Sequence, residues 1–172
     1  MHSLKLSYSF FVFLVLLSLV NCQSTEVNQS TEEFAQEVIE VLREKNEQAY
    51  LDMYLSRTDF KRIFDYSNGE YKFKTVWERY ERNLSRAYSR TTNPYTFGNI
   101  TVDSIVTAEP YKHGMEPWSL INKEKCEQAT IHIYFTTVDN RPKYMTLKDC
   151  IKRPGTTWKL SKIPYTHFIK NK

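Results

Sequence analysis

Apolar positions recur at helical spacing through residues 30–92 and then alternate with a period of two from residue 100 onward. Ser30-Thr31-Glu32-Glu33 reads as a capping box. In it the Ser30 hydroxyl bonds the amide of Glu33, and the Glu33 carboxylate reaches back to the amide of Ser30. A helix is predicted from there, with Phe34, Val38, Val41 and Leu42 on one face. The pattern resets near Lys45-Asn46, and Ala49, Tyr50, Met53 and Tyr54 mark a short second helix. Thr58 or Asp59 is expected to cap a further turn through Phe60, Ile63 and Phe64. Asn68-Gly69 closes it, since both residues tolerate a left-handed backbone. The strongest periodic segment follows: Phe73, Val76, Trp77, Tyr80, Leu84, Ala87 and Tyr88 fall on one stripe, which Asn93-Pro94 stops.

Beyond Pro94, Ile100, Val102, Ser104 and Val106 alternate with Thr101, Asp103, Ile105 and Thr107. A loop bounded by Pro110 and Pro117 leads to Trp118, and Ile131, Ile133 and Phe135 then alternate with Thr130, His132, Tyr134 and Thr136. A turn over Asp139 to Pro142 precedes a strand from Tyr144 to Ile151. Pro154-Gly155 makes another turn, and Trp158 to Ile163 is expected to be the last strand. Helices first and an antiparallel meander afterwards predict an α+β fold, with the helices packed on one face of a curved sheet.

The first residues follow neither period. His2 and Lys5 precede an apolar run from Phe10 to Val20 that only Ser18 interrupts, the size of a signal-peptide core and short for a membrane span. Residues 1–22 are read as a signal peptide, 23–31 as a flexible tether and 32–172 as a single domain. Leu19-Val20-Asn21-Cys22 resembles the lipobox of bacterial lipoproteins, in which the cysteine is lipidated, although Asn21 stands where Gly, Ala or Ser is usual. The same segment fits an ordinary signal-peptidase cut before Gln23. With Cys22 lipidated, Cys126 and Cys150 are left as an even pair, expected to form a disulfide in an oxidising compartment. Cys126 must fold back to make that bond, because a turn near Asn140 sets Cys150 opposite Thr130. Three N-x-[ST] sequons, at Asn28, Asn83 and Asn99, are about as many as chance supplies in so Asn-, Ser- and Thr-rich a chain.

The arrangement is similar to the NTF2-like superfamily, the cystatin-like α+β cone, over roughly residues 32–168. The likeness rests on the opening amphipathic helix, on residues 45–54 as a small-helix stretch and on the late meander ending at residues 158–163. Small exported lipoproteins share this layout. The resemblance implies a sheet wrapped around a helix, often with a pocket, and it implies no particular reaction, because the scaffold serves enzymes, binding modules and assembly subunits.

Composition narrows the chemistry. Four glycines disfavour a phosphate-binding loop, and no G-x-S-x-G or Walker sequence occurs. A net charge of +4 suits a soluble surface and does not imply nucleic acid. His113, His132 and His167 have no metal-ligand spacing, so neither metal nor cofactor is expected. In a cone pocket, acid–base work falls to Asp59, Asp65, Asp103, His132 and Tyr134. The plainer expectation is a strand with Ile131, Ile133 and Phe135 inward and His132 and Tyr134 in solvent. Charge is uneven: residues 23–56 hold eight acids and two bases, and residues 148–172 hold seven bases and one acid. Lys148, Lys152, Lys159 and Lys162, with Tyr144 and Tyr165 between them, are candidates for docking an anionic partner; a solvated outer sheet face is the bland alternative. The reading favours an exported, lipid-anchored cell-envelope protein that binds a protein or a hydrophobic small molecule without catalysis. The alternatives are a freely secreted form and a small pocket enzyme using a His/Asp pair.

Overall fold

The computed structural model describes residues 28–92, 97–108, 121–122 and 125–168. The expected signal peptide, Cys22, residues 23–27 of the tether, His113 and the loop from Pro110 to Pro117 lie outside the described residues. Among those described, five α-helices precede a five-stranded antiparallel sheet, the α+β arrangement expected.

Helix α1 (Thr31–Arg43) begins at the capping box, with Ser30 Oγ accepting from Glu33 N at 3.1 Å and Glu33 Oε2 accepting from Ser30 N at 2.7 Å. Its apolar face, Phe34, Ala35, Val38, Ile39 and Leu42, is buried. Asn46 caps α2 (Glu47–Asp52). The third helix, α3 (Arg57–Ile63), starts earlier than the sequence pattern suggests. Ser56 is its cap, accepting from the Asp59 amide at 3.0 Å and donating to the Asp59 carboxylate at 2.6 Å, so Asp59 stands at the third helical position. A 3-10 turn (Tyr66–Asn68) then meets Gly69, whose φ of 82° lies where a glycine is favoured.

The long stripe is two helices and not one. Helix α4 (Glu70–Leu84) ends at Ser85, and α5 (Ala87–Thr91) restarts after Arg86, whose φ of −118° and ψ of 1° break the helical run. The break lets the last turn dock on α2: Tyr88 packs edge-on against Tyr50 at 5.8 Å, and the Tyr50 hydroxyl donates to Thr91 Oγ1 at 2.8 Å.

The strands are β1 (Thr101–Ala108), β2 (Glu127–Thr136), β3 (Pro142–Lys152), β4 (Trp158–Lys159) and β5 (Tyr165–Phe168). They run in the order β1-β2-β3, and β3 pairs β4 near one end and β5 near the other. The expected last strand, Trp158 to Ile163, is realised only in the two residues of β4, and β5 is a further strand beyond its end. Leu160 leaves the sheet between them to bridge Tyr54, its amide donating to Met53 O at 2.8 Å and its carbonyl accepting from Leu55 N at 3.2 Å. The β2–β3 hairpin turns where expected, with Asn140 at φ 55°.

Two bulges reset the alternation. Asp103 is an extra residue against Phe135-Tyr134, so Val102 and Ile105 are half-buried while Val106 is 46% exposed. The second falls at Asp149, φ 51°, where β3 carries an extra residue against Thr130. Between the layers, Ile131, Ile133, Phe135, Met145 and Leu147 meet the faces of α1, α3 and α4 in one apolar cluster.

The end of the expected tether belongs to the domain. Lys152 Nζ donates to Asn28 Oδ1 at 3.0 Å and to Gln29 O at 3.1 Å. The Trp158 amide donates to Gln29 Oε1 at 3.0 Å, and its indole N–H donates to Gln29 O at 3.1 Å.

Candidate functional site

With Ile131, Ile133 and Phe135 turned inward, the intervening His132 and Tyr134 stand on the outer face of the sheet, as the plainer sequence reading expects. Register then builds two rows across four strands. One row runs Val106, His132, Thr146 and Tyr165; the other runs Ser104, Tyr134, Tyr144 and His167. The rings meet one another. Tyr134 and Tyr144 lie 5.8 Å apart at 30°, Tyr144 and His167 stack at 5.1 Å and 23°, and Tyr165 meets His167 edge-on at 4.5 Å. Lys148 Nζ lies 4.8 Å above the Tyr165 ring, within cation–π range.

His132 Nδ1 is 3.1 Å from Thr146 Oγ1, and Thr146 is buried. Partial burial, helped by the nearby Lys148 charge, pulls the His132 imidazole below its ordinary value. The ring is therefore neutral at pH 7 and keeps one nitrogen to donate and one to accept.

The candidate acids lie elsewhere. Asp59, on α3, pairs with Arg153 at 2.5 Å and accepts from Ser56. Burial pushes its carboxyl up, but the Ser56 hydrogen bond and Arg153 outweigh this and hold it below the usual range. Asp103 accepts from Thr136 Oγ1 at 2.9 Å, four residues along β2 from His132, about 13 Å away. Asp65 accepts from the Ser67 amide at the 3-10 turn, and that bond lowers its carboxyl. No His–Asp pair forms among these candidates. Nor is any group of three His, Cys, Asp or Glu placed to hold a metal ion among the described residues.

The four candidate lysines are engaged within the fold. Lys148 covers Tyr165, Lys152 holds Asn28 and Gln29, Lys159 donates to Asp52 O at 2.8 Å, and Lys162 pairs with the buried Asp149 at 2.5 Å.

The expected disulfide between Cys126 and Cys150 is absent, and both thiols are free. The Asp149 bulge sets Cys150 opposite Ala129. Cys126 lies three residues farther, about 10 Å along the strand, and a disulfide tolerates only about 7 Å between Cα atoms. Cys150 Sγ contacts Leu147 O at 3.7 Å, and complete burial raises its thiol far above the ordinary value.

His167 enters the sequence reading only as a histidine without metal-ligand spacing, because β5 lies beyond the expected last strand, which ends at Ile163. The signal was there in Tyr165-Thr166-His167, an alternation directly after Pro164. No family model matches the chain, and no curated protein and no solved structure matches it.

Proposed function

We propose that the chain is an exported, non-catalytic interaction module, held at a cell-envelope membrane by a lipid on Cys22, and that the outer sheet face docks a partner protein. The observation that carries this reading is the Tyr134–Tyr144–His167–Tyr165 ring ladder. Tyr134, Tyr144 and His167 lie nearly face to face in succession and Tyr165 meets His167 edge-on, so the rings cover part of one another's faces. A sugar seeks a ring face; a protein surface is well matched by rigid rings with hydroxyl tips, the side chains that dominate protein interfaces. The cation on the ladder is Lys148, over the Tyr165 ring, so the complementary partner surface is acidic.

The N-terminal contacts support the same geometry. Gln29 is fixed beside Lys152 and Trp158, and six residues lie between it and Cys22. A lipid on Cys22 would therefore keep that end of β3 within about 25 Å of the bilayer. The row through Thr146 lies six residues back along β3, about 20 Å away, and this distance separates the ladder from the anchored end. The helix-on-sheet layout is compatible with the NTF2-like scaffold, on which binding modules are common.

A photo-crosslinking amino acid at position 144, with a control at the exposed Glu81 of α4, tests the docking face in the native host. We expect one discrete product at 144, absent at 81 and abolished by Tyr134→Ala, whose mass identifies a second protein. No product, or the same product at both positions, refutes the docking face. A product of twice the chain's mass replaces the foreign partner by a second copy. The anchor is tested separately by the intact mass of the exported protein: unmodified residues 23–172 in the soluble fraction would overturn it.

A further inference from the structure

A groove of about 360 Å³ runs between α3 and the first turns of α4, in the helical layer and away from the ring ladder. Its floor is Phe73, buried and stacked on Phe60 at 5.6 Å. One wall carries Arg57 and Lys61, four residues apart on α3 and thus on one side of that helix; the other carries Glu70 and Lys74, spaced the same way on α4. Tyr71 stands at the rim, 83% exposed. Three cations and one carboxylate leave the lining with two positive charges.

Neither Arg57 nor Lys61 has an ion-pair partner among the described residues, in contrast to Arg153, Lys159 and Lys162, which the fold engages. Lys74 reaches only the exposed Glu78, at 4.0 Å. Two unpaired cations at i and i+4 repel one another, and a bound anion would relieve that repulsion. The volume is that of a small-molecule site.

We propose that this groove binds a small phosphate monoester. The phosphate, carrying close to two negative charges at neutral pH, matches the net charge of the lining. Arg57 offers a planar fork for two phosphate oxygens, and Lys61 and Lys74 add point charges. Thr58 supplies a hydroxyl on the same wall. The organic part of the ligand lies over Phe73 and against Tyr71. This site is independent of the sheet-face docking and of the lipid anchor.

Calorimetric titration of the purified protein with phenyl phosphate is the test. We expect saturable binding that weakens at least about tenfold in Arg57→Gln/Lys61→Gln, while Arg82→Gln/Arg86→Gln, which removes two exposed cations outside the groove, binds like the parent. Circular dichroism of both double variants should match the parent, since all four side chains are exposed. No saturation below about 10 mM, or equal weakening in both variants, overturns the site. Inorganic phosphate binding as tightly as phenyl phosphate overturns the part given to Tyr71 and Phe73.

Discussion

Replacing Trp77 by alanine removes the largest ring of the α4 stripe. Trp77 is 6% exposed and packs against Phe60 at 5.9 Å and Tyr80 at 5.3 Å. Truncating a buried Trp costs about 3–5 kcal/mol in lost transfer energy and cavity. One feature works in the opposite direction: Trp77 Nε1 is buried without a hydrogen-bond partner. An orphaned donor of this kind costs about 1–3 kcal/mol, and the substitution removes it. With the orphaned donor at the low end of that range, about 1 kcal/mol, the net loss for Trp77→Ala is about 2–4 kcal/mol, a large share of the stability of a domain this size. Trp77→Phe separates the two effects, because it keeps most of the ring and removes the orphan N–H; it should lie within about 1.5 kcal/mol of the parent. Urea unfolding followed by circular dichroism measures both. A Trp77→Ala loss under about 1 kcal/mol refutes the packing argument. A Trp77→Phe loss equal to that of Trp77→Ala refutes the assignment of an unsatisfied N–H.

Three further outcomes follow from the contacts. Thiol titration of the protein lacking Cys22 should count two free thiols under denaturing, non-reducing conditions, with Cys126 reacting first in the folded state because Cys150 is fully buried; a count of zero free thiols would contradict the register. The depressed His132 imidazole makes the folded state bind its proton less readily than the unfolded chain, so its contribution is intact above the ordinary value of 6.5 and is lost as pH falls through it; His132→Gln should flatten the stability profile between about pH 7 and pH 5, and an unchanged slope would show that another group causes it. Gln29→Ala strips the acceptor from the Trp158 amide and should cost about 1 kcal/mol, read as a lower urea midpoint; no change would mean that the N-terminal segment is not part of the folded unit.

The legibility of these elements tracks how local their causes are. The start of α1 was readable because its capping box involves only Ser30 and Glu33, four residues of chain. The start of α3 was misplaced by two or three residues, since Ser56, Thr58 and Asp59 are all competent caps and only the bridge from Leu55 to Leu160 selects among them. The α4–α5 break was invisible for a similar reason. Phe73 through Tyr88 keep helical spacing, and what bends the chain at Arg86 is the docking of Tyr88 and Thr91 on Tyr50, some forty residues earlier in sequence.

The site was only half legible, and the missing half is register. Period-two alternation was enough to put His132 and Tyr134 on the face opposite Ile133. Which residues of β1, β3 and β5 stand beside them depends on how the strands are aligned, and a single inserted residue moves every later side chain to the other face. Two such insertions occur. Asp103 turns Ile105 inward and leaves Val106 beside His132, and Asp149 sets Cys150 opposite Ala129 while aiming its own carboxylate at Lys162. Neither position is a glycine, and Asp149 adopts φ 51° as an aspartate can but a β-branched residue cannot without strain. The bulge and the Asp149–Lys162 pair therefore support each other: the positive φ points the carboxylate at Lys162, and the pair holds the carboxylate in a buried position it would otherwise avoid. Of the two bulges, only that at Asp103 touches the ladder's rows, where it sets Ser104 beside Tyr134 and Val106 beside His132; the rings themselves are aligned by the unbroken β2–β3 and β3–β5 registers on the hairpin side of Asp149, which the alternation of apolar residues alone does not reveal.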